Sequence, residues 1–483
     1  MSDNERLHKY IVPGLDCLIG DPDVLEPSAK TKLKAELMII PTHYIERCRQ
    51  FRDELSNRGE AASKLIDSFA HMLETISKNS GEEYVCKNGM RVAFQKQLDE
   101  SEREAKSTAA ITVLAAKWFI HNSEFEDRED VAILTGDNFL VAEASLNGID
   151  VAHVNPEVYT GRRRLTLTAE TMDAWCKYGY VTQEMFERNF PNEAPLNVNE
   201  FVHFDPFEDM ETDKKHFTYY IGRFEEIEKE TEEGEKVKEY VIQQIHYIHN
   251  LPKCIQPRTP GQAMLAEAIM APADKIPIVI CPAPFGTGKT FLTTSIGAQL
   301  TIFDKNPTYE SIFVCPRDGE LGKEIGFLPG DETAKTLAKA RPITDNLESY
   351  LKLRGDKEKD GKPKSRAQIK KDIERYIQEY FEFIPIINMG GRSLSDKFII
   401  LDETQDLERF QMNQLMKREG DRSKLIITGD PEQVFNRHLS KHSNGLSYAA
   451  TKMRGSKYAI VVSMFENEIT RSKAAKEIAK RLG

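Results

Sequence analysis

The sequence predicts an α/β protein in three segments, with parallel sheets at both ends and a small β-rich segment between them. Three observations predict it. Apolar strand-like runs alternate with helical apolar spacing over residues 8–160 and again over residues 251–483, the pattern of parallel sheets covered by helices. Between them, two strand patterns flank the acidic turn ETEEGE, which reads as a hairpin with a solvated tip because a block of like charge repels itself. Third, a glycine-containing loop ending Gly-Lys-Thr290 has an apolar strand running in and a helix running out. At 483 residues the chain is long enough for about two to four domains. The expected divisions are residues 1–160, 161–250 and 251–483.

The elements follow in order. YIVPGLDCLI and LMIIPT read as strands. THYIERCRQFRDEL, ASKLIDSFAHMLETI and STAAITVLAAKWFIHN carry helical spacing. VAILTG and DVAHV read as strands, and FLVAEASLNG as a helix closing on Gly148. In the middle segment, TAETMDAWCKYG reads as a short helix, and HFTYYIGRFEEI and KVKEYVIQQIHYI as the hairpin strands. The prolines and glycine of LPKCIQPRTPGQ mark a boundary. IPIVICP, SIFVCP, KFIIL and KLIITG are short apolar runs of the buried parallel-strand kind. Between the second and third of these lies LKLRGDKEKDGKPKSRAQIKKDIERY, with ten basic residues against five acidic ones from Lys352 to Arg375. Its first half reads as a mobile insertion and the rest as helix. It is either a solvated surface loop or an arm for phosphates.

Composition sets limits. Forty per cent hydrophobic and thirty per cent charged residues suit a soluble globular protein and exclude wholesale disorder. No apolar run approaches the roughly 18–20 residues of a membrane span. The polar start MSDNERLHKY lacks the pattern of a secretory signal. Cys17, Cys48, Cys86, Cys176, Cys254, Cys281 and Cys315 lie far apart with no CxxC pair, so a reducing, cytoplasmic setting is expected rather than a disulfide framework or zinc cluster. The net charge of −11 is unevenly placed: residues 1–250 hold 29 Lys and Arg against 47 Asp and Glu, and residues 251–483 hold 37 against 30. The basic second half suggests a polyanionic partner.

The loop Ala283-Pro-Phe-Gly-Thr-Gly-Lys-Thr290 matches G-x-x-x-x-G-K-[ST], with Ala283 in place of the first glycine. Gly286 and Gly288 let the backbone fold around a phosphate. The N–H groups opening the following helix then face the anion. Lys289 is expected to reach the β- and γ-phosphates and Thr290 to hold Mg²⁺. The cradle taken as a whole is Pro284, Phe285, Gly286, Thr287, Gly288, Lys289, Thr290 and Phe291. A second carboxylate site is expected on a neighbouring strand. Phe398-Ile-Ile-Leu-Asp402-Glu403 places two acids at a strand's C-terminal end, where ligands bind in open α/β sheets. Asp402 can join the Mg²⁺ shell and Glu403 can orient the attacking water. A third strand ends in Thr428-Gly-Asp-Pro-Glu-Gln433, either a sensor beside the γ-phosphate or a plain Gly-Asp-Pro turn.

KEIGFLPGDETAK, ARPITDNLESY, MGGRSLSDKFIILDETQD, IITGDPEQV and SNGLSY resemble the PhoH family of ATPases across residues 255–475. The resemblance implies a RecA-like core related to superfamily 1 helicases. It also implies, for residues 1–160, a PIN-like nuclease domain of the kind found in two-domain PIN–PhoH proteins. The implied activity is an ATP-dependent, Mg²⁺-requiring RNA helicase or translocase coupled to a ribonuclease. The alternative is an ATP-gated RNA- or partner-binding protein with an inactive PIN scaffold. The implied partner is single-stranded RNA, or DNA in its place, with no membrane, and the implied assembly a homo-oligomer such as a hexameric ring. By the same resemblance Gln262 reads adenine, Gln433 senses the γ-phosphate, and Arg471 acts as an arginine finger. Arg392 in Gly-Gly-Arg-Ser-Leu also fits the family pattern. The family's Thr-Arg-Pro is here Cys315-Pro316-Arg317, a departure that detaches an RNA-contact role from Arg317.

A PIN site gathers three or four carboxylates at a sheet edge around Mg²⁺ or Mn²⁺, which activates water for phosphodiester cleavage. The candidates are Asp16, Glu46 and Asp137. Thr108 stands where a further acid is expected, with Glu102 or Glu104 as substitutes.

Overall fold

The computed structural model describes residues 9–20, 35–52, 57–78, 82–86, 89–95, 107–122, 130–135, 138–152, 159–205, 217–230, 236–315, 341–357, 361–383, 394–417, 420–435, 439, 441 and 444–471. The chain divides into two compact units, Met1–Glu157 and Val158–Gly483.

The first unit holds a six-stranded sheet of order β3-β4-β2-β1-β5-β6. Its strands are β1 Tyr10–Pro13, β2 Leu37–Pro41, β3 Glu83–Val85, β4 Arg91–Gln95, β5 Val131–Leu134 and β6 Asp150–Ala152. All neighbours are parallel except β3 and β4, so the sheet is mixed. Side chains alternate between two cores. Ile11, Met38 and Ile40 pack with Tyr44 and Phe69; Tyr10, Val12, Leu37 and Ile39 pack with Val113 and Phe119. Burial on both faces explains the unbroken apolar runs. Helices α1 Leu15–Gly20, α2 His43–Arg52, α3 Asn57–Lys78, α4 Thr108–Asn122 and α5 Asn138–Leu146 connect the strands. The stretch YIVPGLDCLI is not one strand. It bends at Gly14 into α1, whose Leu15 and Leu18 share the core with Ile11 at the i, i+3 spacing of one helix face.

The second unit begins with a curled five-stranded sheet of order β7-β9-β10-β11-β8: β7 Arg162–Thr166, β8 Tyr180–Thr182, β9 Phe201–Asp205, β10 Ile221–Glu230 and β11 Lys236–Gln244. The hairpin β10–β11 runs in register from Gly222 opposite Gln244 to Glu230 opposite Lys236, with cross-strand ion pairs Lys236–Glu228 and Lys238–Glu226. Helices α6 Ala169–Tyr178 and α7 Gln183–Asn189 cover it. Thr168 caps α6, and Gly179 closes it in the left-handed region at φ 73°, the usual C-terminal stop.

The rest of the unit is an all-parallel sheet of order β14-β13-β15-β16-β12-β17: β12 Ile278–Pro282, β13 Ser311–Cys315, β14 Phe381–Phe383, β15 Lys397–Leu401, β16 Lys424–Gly429 and β17 Ala459–Val461. Helices α8 Pro260–Met270, α9 Lys289–Ala298, α10 Arg341–Arg354, α11 Arg366–Tyr380, α12 Arg409–Met416 and α13 Gly445–Lys452 flank it. The basic segment runs from the last turn of α10, through a turn with a bridge between Lys357 and Pro363, into α11. β16 lies between the strands carrying the glycine loop and the acid pair. It starts at Lys424, which is fully buried and whose Nζ donates to the carbonyls of Ala271 at 2.8 Å and Ile276 at 2.6 Å.

A buried ion pair joins the β-rich sheet to this core. The Arg162 guanidinium lies 2.8 Å from Glu468 Oε2 and donates to the Ser463 carbonyl at 3.2 Å. Glu468 Oε1 accepts from the Gly261 amide in the first turn of α8 at 2.6 Å. The clamp fixes α8 and the segment that leads to Arg471.

Candidate nucleotide site

Strand β12 delivers the glycine loop at the C-terminal edge of the sheet. The Ala283 amide continues the ladder onto the Gly429 carbonyl at 2.9 Å, and the Phe285 amide donates to Asp430 Oδ2 at 2.7 Å. Thr287 Oγ1 turns back onto the Pro284 carbonyl at 2.8 Å. Gly286 and Gly288 hold φ of 89° and 87°, which side chains with a Cβ adopt only at a cost. Space is short as well: a Cβ on Gly286 would meet Arg471 Cδ at 3.1 Å, and one on Gly288 would meet Gln262 Nε2 at 3.1 Å. Lys289 opens α9 and is 3% exposed. The result is a turn of backbone amides at a helix N-terminus with a lysine beside it, a geometry suited to an anion.

The acid of β15 meets this loop. Thr290 Oγ1 donates to Asp402 Oδ2 at 2.8 Å. The other oxygen, Oδ1, accepts from Thr428 Oγ1 at 2.5 Å and from the Glu403 amide at 3.0 Å. Asp402 is thereby held in one orientation by the strand inserted between β12 and β15. A hydroxyl and a carboxylate are hard oxygen donors, and this pair fits Mg²⁺. Glu403 takes φ 55°, ψ 41°, a left-handed conformation that costs about 1–2 kcal/mol for a residue with a Cβ. Such strain persists where the surroundings over-determine it.

Gln262 is buried, and its side chain is committed. Nε2 donates to the Thr287 carbonyl at 2.7 Å and Thr470 Oγ1 at 3.3 Å, and Oε1 accepts from the Arg258 amide at 2.8 Å. It braces the loop. Gln433 is exposed, and its backbone N–H donates to the Asp430 carbonyl at 3.0 Å; it ends the turn that touches Phe285. Arg471 is exposed, with its guanidinium over the Phe285 ring. The loop residues, Phe291 at the start of α9, Gln262, Asp402, Glu403, the turn to Gln433, and Arg471 thus gather at one end of one sheet. Burial pushes the thiol of Cys281, beneath the loop, up to about 12, against the opposing charge of Lys289. It stays a protonated packing residue.

Sequence reasoning missed Thr428 as an Asp402 partner, and Gln405. The amide of Gln405, two residues past Glu403, donates to Glu403 Oε2 at 2.8 Å and to the Gln433 carbonyl at 3.2 Å. A glutamine two residues past an acid pair at a strand end was the available signal, since an amide that becomes buried there needs partners.

In the first unit, Asp16 lies on α1, with Thr135 Oγ1 donating at 3.1 Å to its carboxylate. Burial, with a smaller push from Asp16, raises the pKa of the neighbouring Tyr44 well above its usual value; its hydroxyl bonds Thr112 Oγ1 at 2.5 Å. Glu46 lies in the first turn of α2, 3.7 Å from His43 Nδ1. Thr108 begins α4. Asp137, Glu102, Glu104, Arg317 and Arg392 lie outside the described residues. Among the described residues no three His, Cys, Asp or Glu side chains gather as a metal site, and no helix is long and apolar enough to cross a membrane.

Residues 254–482 match the family of PhoH-like proteins. Over nearly its whole length the chain is similar to Protein PhoH2 of Bacillus subtilis: 25% identical over 474 residues, 93% of this chain and 96% of that protein. It is 30% identical over 220 residues to a PhoH-like protein of Bacillus subtilis, covering 45% of this chain and 61% of the relative. A PhoH-like protein of Synechocystis is 30% identical over 181 residues, covering 38% of this chain and 49% of the relative.

Proposed function

We propose that the protein, whose residues 254–482 belong to the PhoH-like family, is a P-loop ATPase that works as a translocase or helicase on single-stranded RNA. The observation that carries the ATPase reading is the bond from Thr290 to Asp402 at 2.8 Å, which joins the Gly-Lys-Thr loop to the FIILDE strand. The amides of the loop and of the first turn of α9 bind the phosphates, and Lys289 adds a positive charge. Mg²⁺, held by Thr290 and Asp402 when bound, neutralises charge on the β- and γ-phosphates. Glu403 orients the attacking water and accepts its proton. Gln433 reports the state of the γ-phosphate through the turn it shares with Asp430. Arg471 supplies a cation to the transferred phosphate, acting across a subunit boundary if the chain forms a ring.

The RNA part rests on the basic second half of the chain and on the α10–α11 hairpin. There Asp372 is buried while Arg366, Lys370, Lys371 and Arg375 face solvent, so the hairpin presents cations outward. The N-terminal unit is read as PIN-like, with Asp16, Glu46 and Asp137 as its carboxylates for Mg²⁺ or Mn²⁺ and RNA cleavage as its activity. The seven cysteines lie far apart in the sequence with no CxxC pair, which supports a cytoplasmic setting.

The test is ATP turnover with and without single-stranded RNA, for the intact chain and for Lys289→Ala. RNA-stimulated turnover lost in the variant supports the motor. Tight ATP binding without turnover replaces it with an ATP-gated binding protein. For the nuclease, labelled RNA is incubated with Mn²⁺, and equal cleavage by the intact chain and Asp137→Asn rejects that site.

A further inference from the structure

Gln405 sits in the short turn Thr404–Asp406 and is fully buried. Burying an amide without partners costs about 1–3 kcal/mol on protein scales, and this one is fully engaged. Besides its bonds to Glu403 and Gln433, its Oε1 accepts from the Asp430 amide at 3.1 Å. The turn is pinned by Thr404 Oγ1 on the Thr428 carbonyl at 2.9 Å. The fit is close: a Cβ on Gly429 would lie 2.5 Å from Gln405 Oε1. Asp430, in turn, receives the Phe285 amide. One side chain therefore touches the carboxylate of Glu403 and both ends of the Asp430–Gln433 turn that contacts the glycine loop.

The geometry points to Gln405 as a positioning residue that aims the Glu403 carboxylate and ties that aim to the Asp430–Gln433 turn. A glutamate has three side-chain torsions, and fixing the last of them takes a donor placed at its oxygen. Gln405 supplies that donor. Because the same NH₂ group bonds the Gln433 carbonyl, a shift of the turn moves the amide and with it the glutamate. The inference rests on the ATPase reading.

The test uses the full chain with Gln405→Met, which keeps the length and removes the bonds, and Gln405→Glu, which sets a second carboxylate beside the first. Gln405→Met is expected to lower kcat by about 10–100-fold, the usual loss for a group that orients an active-site ligand. The Kd for a fluorescent ATP analogue and the KM for ATP stay within about threefold. Gln405→Glu keeps an acceptor for the Asp430 amide but puts a repelling oxygen where Glu403 Oε2 had a donor, so kcat falls at least as far, again with KM and Kd held. A merely structural role would not split kcat from KM and Kd in this way. Wild-type kcat in both variants overturns the inference, and so does a parallel fall of kcat and nucleotide affinity. If Gln405→Met does not fold, the kcat, KM and Kd of Gln405→Glu decide. Absence of turnover in the wild-type chain sinks the ATPase reading itself, a separate result.

Discussion

The guanidinium of Arg471 lies 3.9 Å over the ring of Phe285, in the middle of the glycine loop. The contact is a cation–π pair at the surface, worth about 0.5–1 kcal/mol, weak enough to exchange for a phosphate. Phe285 is half exposed and holds the arginine at the mouth of the site. Just before it, Thr470 donates its amide to the Gly286 carbonyl at 3.1 Å. Arg471 is thus tethered to the loop whose phosphate it is proposed to serve.

Arg471→Ala is expected to lower kcat by roughly 10³-fold or more if the arginine acts as a finger, and Arg471→Lys to rescue little, because a lysine lacks the planar fork. Phe285→Leu removes the parking place while leaving the arginine, so kcat falls far less. Steady-state ATPase assays on the three variants check this. An Arg471→Ala enzyme with wild-type kcat removes the finger.

Thr428→Val leaves strand β16 intact and takes one donor from Asp402. Outer-shell donors of this kind typically contribute 10–100-fold, in round figures about 1–3 kcal/mol, to metal affinity or activity. The Mg²⁺ concentration for half-maximal ATPase is expected to rise by about that factor, with maximal rate largely recovered at high Mg²⁺. EDTA abolishes turnover in both proteins. An unchanged Mg²⁺ titration disposes of the role given to Thr428.

The legible parts of this protein were those where chemistry and local pattern coincide. The glycine loop, the FIILDE strand and the buried strands announce themselves because a parallel strand covered on both faces is apolar throughout. Strands β3 and β14 did not: each is three residues long at a sheet edge, too short for a period to show. β7, RRRLT, reads as a charged run because Arg163 and Arg164 are paired with Glu200 and Asp205, partners distant in sequence. Thr428 and Gln405 meet their partners only through the strand order, which places β16 between β12 and β15. Single-sequence spacing carries no such information.

Arg162→Ala is expected to cost about 3–5 kcal/mol of stability, since it leaves Glu468 charged and buried without its partner. Arg162 and Glu468 side chains are 10% and 5% exposed. The double variant Arg162→Met with Glu468→Leu recovers part of that loss. Urea unfolding of the intact chain measures both. Equal stability of the single variant and the wild type would show that the clamp contributes little.

The α10–α11 hairpin gives a salt-dependent prediction. Each phosphate contact on a single strand changes the slope of log K against log salt by about 0.7. Lys370→Glu with Lys371→Glu is expected to weaken single-stranded RNA binding and flatten that slope, leaving RNA-free ATPase unchanged because both side chains are exposed. Filter binding at several salt concentrations reads both quantities. Unaltered affinity and slope move the RNA path away from this hairpin.

Lys424 makes a prediction about pH. Burial drives its pKa well below the usual 10.5, helped by the positive charge of Arg223 and opposed by Glu267 and Asp274. A neutral amine has two N–H donors, and both find carbonyls, those of Ala271 and Ile276. The unfolded chain therefore binds a proton that the native chain does not. The stability tied to this group is fully present above pH 10.5 and is lost as pH falls toward the lowered folded value, by about 1.4 kcal/mol per pH unit. Lys424→Met removes the titration but leaves the two carbonyls without a donor, a cost of about 1–3 kcal/mol each. The variant is accordingly less stable than wild type at high pH, and the gap narrows as pH is lowered. Urea unfolding of both proteins at pH 7 and pH 9.5 tests the difference, in which all other titrating groups cancel. Stability curves that stay parallel across that range would mean that Lys424 carries its proton in the folded chain.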